Sequence, residues 1–313
     1  MRKEKVFIYV ASDVIEGYIN WPDAADASTE AADASPAAST GAAASDPLPA
    51  VIFTNGWGAY HEMYEEMAER FCNAGYVTLQ YETRGSAGPR REFQLCGTEW
   101  KDDINAAISY MWGCANVDRA RIGLAGVSMG GAMTLIQGAV DPRVKALYAM
   151  APYINGEIGE HQRYLREASE ERWQEFLQLC FEDAAARAHG YEGAKPELNY
   201  SFMTDSYFEP DEKLKEVRRK YPLAMTREPY ESTWNVYLYV DALDAVRKIR
   251  IPTMIVHGTG DTLLRYQDSE MLYENLAAPQ KEFHLIEGAQ HELPLCATEE
   301  STKYGLEWFG KYL

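Results

Sequence analysis

The stretch GLAGVSMGG, residues 123–131, decides how the fold of this chain is interpreted. It places Ser128 between Gly126 and Gly130, after an apolar run and before several small residues. Gly-x-Ser-x-Gly alone is a weak signal, since chance produces it in roughly one chain in ten of this length. Here, however, an apolar strand leads into the motif and a helix follows it, and a turn between them lifts the serine hydroxyl above the sheet edge. Ser128 is therefore a candidate nucleophile.

Apolar strands alternate with helical segments on both sides of this stretch. The predicted strands are KVFIYV, VIEGYINW, PAVIFTN, YVTLQYE, ARIGLAG, RVKALYAMAP, IPTMIVHG and KEFHLIEG. The predicted helices are YHEMYEEMAERFCNAG, DDINAAISYMWG, MGGAMTLIQGAV, a segment near 266–276, and TEESTKYGLEWFGKYL. This alternation predicts an α/β fold, with a mostly parallel sheet flanked by helices.

Two segments interrupt the alternation. Residues 23–48 are rich in alanine and almost free of large apolar side chains, so we expect a disordered loop there. Residues 153–249 show no clear strand pattern and are charged, helical and then aromatic. We interpret this second segment as a mainly helical insertion into a core made of residues 1–152 and 250–313.

Composition narrows the range of partners and cellular locations. The formal net charge of −18 argues against nucleic acid, because phosphate binding needs clustered Lys and Arg. No apolar stretch reaches 18 residues, so no membrane partner is expected. The five cysteines lack CxxC pairing, which favours reduced thiols and a cytoplasmic location; they are Cys72, Cys96, Cys114, Cys180 and Cys296.

Four further motifs give the chain its resemblance to the α/β-hydrolases. VHGTGD resembles the turn that bears the acid after the seventh strand, and IEGAQHE resembles the histidine loop. FTNGWGAY resembles the oxyanion loop, with Asn55 in place of the usual histidine, and YETRGSAG resembles the Asp-x-Arg-Gly turn, with Glu82 replacing Asp. The similarity is closest to the dienelactone-hydrolase-like and Xaa-Pro-peptidase-like branch. It implies an α/β-hydrolase fold in which residues 153–249 form a cap.

The resemblance implies a catalytic triad of Ser128, Asp261 and His291, in the Ser, acid, His order of that fold. Of the six histidines, only His291 is both downstream of the acid and in a predicted loop. Asp261 has an alternative interpretation as a turn aspartate that bonds its own backbone. Glu157 or Glu160 would then be the acid.

The resemblance also places an oxyanion hole and a substrate pocket. Backbone N–H groups of Trp57 and Met129 would form the oxyanion hole. The candidate substrate-binding residues are Trp57, Tyr60, Tyr207 and Trp234. The larger aromatic set of the insertion is more typical of a cap core than of a pocket.

These features predict a serine hydrolase that cleaves carboxylic esters through an acyl-enzyme. An acyl or dipeptidyl peptidase of the same fold and a catalytically idle hydrolase-fold binding protein are the alternatives. No cofactor and no metal is expected, since His61-Glu62 lacks the second histidine of a zinc peptidase motif. The expected partner is a small ester or a short peptide substrate, and a homodimer is left open.

Overall fold

The computed structural model describes residues 1–11, 13–23, 46–57, 59–84, 97–191 and 230–313 of the 313-residue chain. Most of the predicted loop 23–48 lies outside the described residues, and so does Tyr207. Within the described ranges, no helix is both long and apolar enough to span a membrane.

All eight predicted strands are present and form a single sheet. They are β1 (Arg2–Val10), β2 (Asp13–Trp21), β3 (Leu48–Thr54), β4 (Val77–Tyr81), β5 (Val117–Val127), β6 (Ala146–Met150), β7 (Thr253–Gly258) and β8 (Lys281–Ile286). Their order across the sheet is β1-β2-β4-β3-β5-β6-β7-β8. β2 pairs antiparallel with both β1 and β4, and every later pairing is parallel. The prediction of a mostly parallel α/β sheet is confirmed.

Helices connect the strands and cover the sheet. They are α1 (Glu65–Asn73), α2 (Gly97–Gly113), α3 (Met129–Gly138), α4 (Gln162–Glu167), α5 (Glu170–Ala188), α6 (Tyr230–Tyr239), α7 (Ala242–Val246), α8 (Tyr266–Asn275), α9 (Leu293–Cys296) and α10 (Thr298–Tyr312). A 3₁₀ turn, His61–Tyr64, precedes α1, and a π turn, Glu157–His161, precedes α4.

The strand sequences explain which parts of the sheet are covered. Every residue of β4, β6 and β7 is buried, as expected for central parallel strands covered on both faces. β1 instead alternates between buried and exposed positions from Val6 to Val10, which is typical of an edge strand with one solvated face. One apolar cluster joins the sheet to α1 and α10, and a second joins the opposite face to α2, α3, α7 and α8.

The described part of residues 153–249 contains only helices and turns, apart from one isolated bridge between Asn155 and Asp241. α4, α5 and α6 contact one another through an aromatic cluster centred on Trp173. α7 instead packs into the main core, where Ala242 and Val246 are fully buried. The role of this segment as a cap stays a prediction.

Candidate active site

The topology brings the predicted triad to one edge of the sheet. β5, β6, β7 and β8 run parallel, so their carboxyl ends lie at the same edge. Ser128 directly follows β5, Asp261 follows β7 by three residues, and His291 follows β8 by five. Ligands of open α/β sheets bind outside this edge.

The backbone of Ser128 is held in a strained conformation. Its φ of 59° and ψ of −124° lie in a region that L-residues with a side chain rarely occupy. Ser128 joins β5 directly to α3, and its side chain makes no capping bond to that helix. Such a turn aims the side chain away from the sheet and the helix, as a nucleophile requires.

The two flanking glycines are needed because the chain crosses itself closely at this turn. A Cβ at Gly126 would lie 2.4 Å from the carbonyl oxygen of Gly130. A Cβ at Gly130 would lie 2.1 Å from the carbonyl oxygen of Thr54 and 2.3 Å from that of Asn55. Since those neighbours are backbone atoms, neither position accommodates a side chain without displacing the chain.

Hydrogen bonds fix the turn from both sides. The Ser128 N–H donates to the Met150 carbonyl at 2.9 Å, and the Ser128 carbonyl accepts from the N–H of Tyr153 at 3.0 Å. The buried Tyr64 hydroxyl accepts from the Val127 N–H and donates to the Thr54 carbonyl, both at 2.8 Å. The strain at Ser128 is therefore maintained by hydrogen bonds to neighbouring segments rather than by its own residue type.

Asp261 and His291 are in direct contact. The Nδ1 of His291 lies 2.6 Å from Oδ2 of Asp261, and the Asp261 side chain is fully buried. The other carboxylate oxygen, Oδ1, accepts from the backbone N–H groups of Leu263 at 2.8 Å and Leu264 at 2.9 Å. Burial alone opposes ionisation, but the charge of His291 and the histidine hydrogen bonds hold the Asp261 pKa well below its usual range. Asp261 is thus an ionised partner for the imidazole.

A second histidine, His257, also contacts Asp261. Its Nε2 lies 3.0 Å from the same Oδ2 atom, and its Nδ1 lies 2.7 Å from the Ser269 hydroxyl. His257 is not among the candidates predicted from the sequence, because a histidine that ends a strand is usually a structural residue. The four-residue spacing from Asp261 across a Gly-Thr-Gly turn is the signal that could have identified it.

The predicted oxyanion residues flank Ser128. Met129 is the first residue of α3 and is buried, so its N–H belongs to the free amino end of that helix. The loop after β3 comes close from the other side, since a Cβ on Gly56 would lie 3.2 Å from Cβ of Ser128. Trp57 follows in the turn and packs, half-buried, against the main core. Both predicted N–H donors therefore lie on segments adjacent to Ser128.

The two departures from the family motifs lie in contact with each other. Nδ2 of Asn55 donates to the Tyr81 carbonyl at 2.9 Å and lies 3.4 Å from Oε2 of Glu82. Oε1 of Glu82 accepts from the His61 backbone N–H at 3.0 Å and lies 2.5 Å from His61 Nδ1. Glu82 therefore links the start and the end of the loop after β3, the predicted oxyanion loop.

His61, Glu62 and Glu82 are also close enough together to hold a metal ion, with ligand atoms within 4.8 Å of one another. The hydrogen bonds from His61 to Glu82 account for this proximity without an ion. We therefore assign the cluster to loop anchoring.

The alternative acids are engaged elsewhere. Glu157 accepts from the Tyr237 hydroxyl at 3.1 Å and pairs with His161. Glu160 is buried between Tyr153 and Arg163, and burial raises its pKa to about 7 although Arg163 opposes that shift. Both belong to the π turn that precedes α4, whereas the carboxylate in contact with His291 is that of Asp261.

The predicted substrate-binding residues have different surroundings. Tyr60 is half-buried at the start of the 3₁₀ turn that follows the oxyanion loop. Trp234 lies on α6, where its ring stacks on Tyr237 at 5.4 Å and meets Phe181 of α5 edge-on at 4.9 Å. Trp234 thus contributes to packing between α5 and α6. Substrate contact by either residue stays a prediction.

Comparison with characterised families agrees with this architecture. A family profile described as serine aminopeptidase, S33, matches residues 45–295. The uncharacterised protein YcjY of Escherichia coli K12 is 26% identical over 259 residues, which cover 77% of this chain and 80% of YcjY. The polyketide transferase grgF of a Penicillium species is 24% identical over 255 residues, covering 79% of this chain and 82% of grgF.

Solved structures support the same fold. The crystal structure of the Penicillium α/β-hydrolase GrgF superposes with a TM-score of 0.76 at 19% identity, covering 100% of this chain and 99% of GrgF.

A putative carboxymethylenebutenolidase of Methylorubrum extorquens is 26% identical over 112 residues, covering 32% of this chain and 38% of that protein. This similarity agrees with the expected dienelactone-hydrolase-like branch. The chain belongs to the S33 serine aminopeptidase family and has the α/β-hydrolase fold.

Proposed function

We propose that this protein is a serine hydrolase that cleaves carboxylic esters through an acyl-enzyme on Ser128. The observation that carries the proposal is the strained Ser128 turn at the sheet edge where the Asp261–His291 pair also lies. An unassisted serine hydroxyl is a poor nucleophile at neutral pH, so it needs a base that is itself held in place. His291 is that base in the proposed mechanism.

The contact with Asp261 sets the tautomer of His291. A carboxylate only accepts hydrogen bonds, so Nδ1 of His291 carries the proton that faces Oδ2. In the neutral ring, Nε2 then keeps its lone pair and can take the Ser128 proton. The ionised Asp261 stabilises the imidazolium that forms, and Nε2 returns the proton to the leaving alcohol.

The oxyanion formed on attack needs donors placed before the reaction begins. We assign this role to the backbone N–H groups of Trp57 and Met129. The close approach of Gly56 to Ser128 and the helix start at Met129 support the assignment. Because backbone donors are used, the replacement of the family histidine by Asn55 leaves this function intact. Water attack on the acyl-enzyme then releases the acid.

The test of this proposal is ester turnover by the wild type and by Ser128→Ala. We expect the wild type to hydrolyse p-nitrophenyl esters and Ser128→Ala to lose on the order of 10⁶ in kcat. Ser109→Ala is a matched control, because Ser109 lies on α2 and bonds the Asn105 carbonyl. Retained turnover in purified Ser128→Ala would refute the role of Ser128.

A parallel series of aminoacyl p-nitroanilides tests the peptidase alternative that the family description favours. Fast anilide turnover with poor ester turnover would reverse the choice of substrate class.

Acyl transfer is a second candidate, favoured by the similarity to a polyketide transferase over 79% of this chain. It uses the same acyl-enzyme, but an alcohol or amine of the acceptor replaces water. Adding a primary alcohol during ester turnover separates the two outcomes. Hydrolysis predicts free acid as the main product, whereas transfer predicts the new ester in excess of what the alcohol's concentration alone would yield.

A further inference from the structure

The geometry points to His257 as a positioning residue that holds the acid Asp261 in its working orientation, with Ser269 fixing the His257 ring. The inference rests on the proposed function, because it concerns the acid of the proposed triad. His257 and Ser269 are both fully buried, on β7 and α8 respectively.

The surroundings of His257 define where its proton lies. Its Nε2 faces Oδ2 of Asp261 at 3.0 Å and the carbonyl oxygen of Leu264 at 3.2 Å. Both atoms only accept hydrogen bonds, so Nε2 must carry a hydrogen. In the neutral ring Nδ1 is then an acceptor, and the Ser269 hydroxyl at 2.7 Å donates to it. The chain of donors therefore runs from Ser269 through His257 to Asp261.

The hydrogen bond from His257 completes the set of donors around the Asp261 carboxylate. Oδ1 of Asp261 accepts from two backbone N–H groups, and Oδ2 accepts from His257 and His291. With about four lone-pair sites filled, the carboxylate cannot rotate away from His291 without breaking a buried hydrogen bond. Removing the His257 donor leaves Oδ2 held by His291 alone, so the imidazole loses a fixed partner.

Two amide substitutions separate the contact from the packing. In His257→Gln the amide N–H lies near the position of Nε2 and can still reach Asp261. In His257→Asn the shorter amide lies near the position of Nδ1 and cannot. His284→Asn is the matched control, since His284 pairs with Glu282 and stacks on Tyr304, on the neighbouring strand β8.

The readout is the second-order rate of Ser128 phosphonylation by a fluorophosphonate, which reports serine activation whatever the natural substrate is. Loss of a hydrogen bond to a charged group predicts a ten- to hundredfold slower reaction in His257→Asn. We expect recovery to within about threefold of wild type in His257→Gln and no change in His284→Asn. Thermal unfolding confirms that each variant is folded. Should His257→Asn fail to fold, Ser269→Ala is expected to slow labelling about two- to tenfold.

A double-variant cycle distinguishes positioning from a general structural role. In an Asp261→Asn background, His257→Asn should cost less than about threefold, because its effect passes through Asp261. The inference is overturned if His257→Asn is labelled at the wild-type rate. It is also overturned if the fold-reductions of the two single variants multiply in the double variant. If Asp261→Asn is labelled at the wild-type rate, the proposed triad itself is overturned. Failure of the triad is therefore distinguishable from failure of the His257 inference.

Discussion

Replacing Ser128 by glycine should stabilise the protein relative to replacing it by alanine, although both changes remove the proposed nucleophile. A residue with a Cβ at φ 59° and ψ −124° carries about 1–3 kcal/mol of strain, whereas glycine adopts this conformation freely. Glycine also gains conformational entropy in the unfolded chain, which offsets about 0.4–1 kcal/mol. The midpoints of these two ranges, about 2 and about 0.7 kcal/mol, leave an expected net difference of about 1.3 kcal/mol in favour of Ser128→Gly.

The difference is measured by urea unfolding of the two variants under the same conditions. In heat scans it corresponds to Ser128→Gly melting roughly 1–5 °C above Ser128→Ala. Comparing the two variants cancels the loss of the hydroxyl, since both lack it. A Ser128→Gly protein that is equal to or less stable than Ser128→Ala would refute strain at this turn.

Three further predictions concern packing and charge around the site. Gly130→Ala should destabilise the protein by about 1–3 kcal/mol or more and slow Ser128 labelling, because its Cβ would lie 2.1 Å from the Thr54 carbonyl oxygen. Gly131→Ala is the milder control, since its Cβ would lie 3.1 Å from its nearest neighbours. Equal melting temperatures of the two variants would contradict this reasoning. Arg84→Gln should cost about 3–5 kcal/mol in urea unfolding, because it leaves the fully buried Asp103 carboxylate, now 2.6 Å from the Arg84 guanidinium, without its charge partner. Asp102→Asn should cost less than about 1 kcal/mol, since that carboxylate is 67% exposed at 3.6 Å from Arg84. Similar losses would count against a special role for the buried pair. Burial raises the pKa of Glu160 in the folded protein to about 7, so ionisation of Glu160 favours unfolding progressively as pH rises from about 4.5 to 7. The unfolding free energy of Glu160→Gln should equal that of wild type near pH 4 and be about 1–3 kcal/mol larger at pH 8. A constant difference between the two proteins across this range would contradict the raised pKa.

Most of the fold could be predicted, because local patterns of apolar and polar residues indicate where its strands and helices lie. The central strands are short apolar runs, and β4, β6 and β7 are in fact buried at every position. The resemblance to the α/β-hydrolases predicts that Ser128, Asp261 and His291 lie together at one sheet edge, and their meeting as a triad stays a prediction. The structure does bring two of them into contact, since Nδ1 of His291 lies 2.6 Å from Oδ2 of Asp261.

The contacts that support Asp261 could not be predicted in the same way. His257 and Ser269 are twelve residues apart and belong to a strand and a helix that are separated by a loop. Their contact depends on how α8 packs on β7, which no periodic pattern reports. The hydrogen bonds of Glu82 to the predicted oxyanion loop are of the same kind, since they join it to His61 and Asn55, 21 and 27 positions away. Isolated polar residues of this sort resemble ordinary core or turn residues until the chain is folded.

The pairing of the two motif departures has a physical basis that only the structure reveals. Asn55 and Glu82 come from the ends of adjacent strands, β3 and β4, and their side chains meet there. Considered separately, each substitution weakens the match to the family motif. Considered together, they form one hydrogen-bonded group that fixes the loop after β3, the predicted oxyanion loop, through His61.

The most direct test of the central claim is the site and rate of fluorophosphonate labelling, located by peptide mass spectrometry, in wild type and in His291→Gln. If the imidazole of His291 activates the Ser128 hydroxyl, the adduct forms on Ser128 and its formation slows by at least about a thousandfold in the variant. An adduct on another residue, or equal rates in the two folded proteins, would contradict the claim.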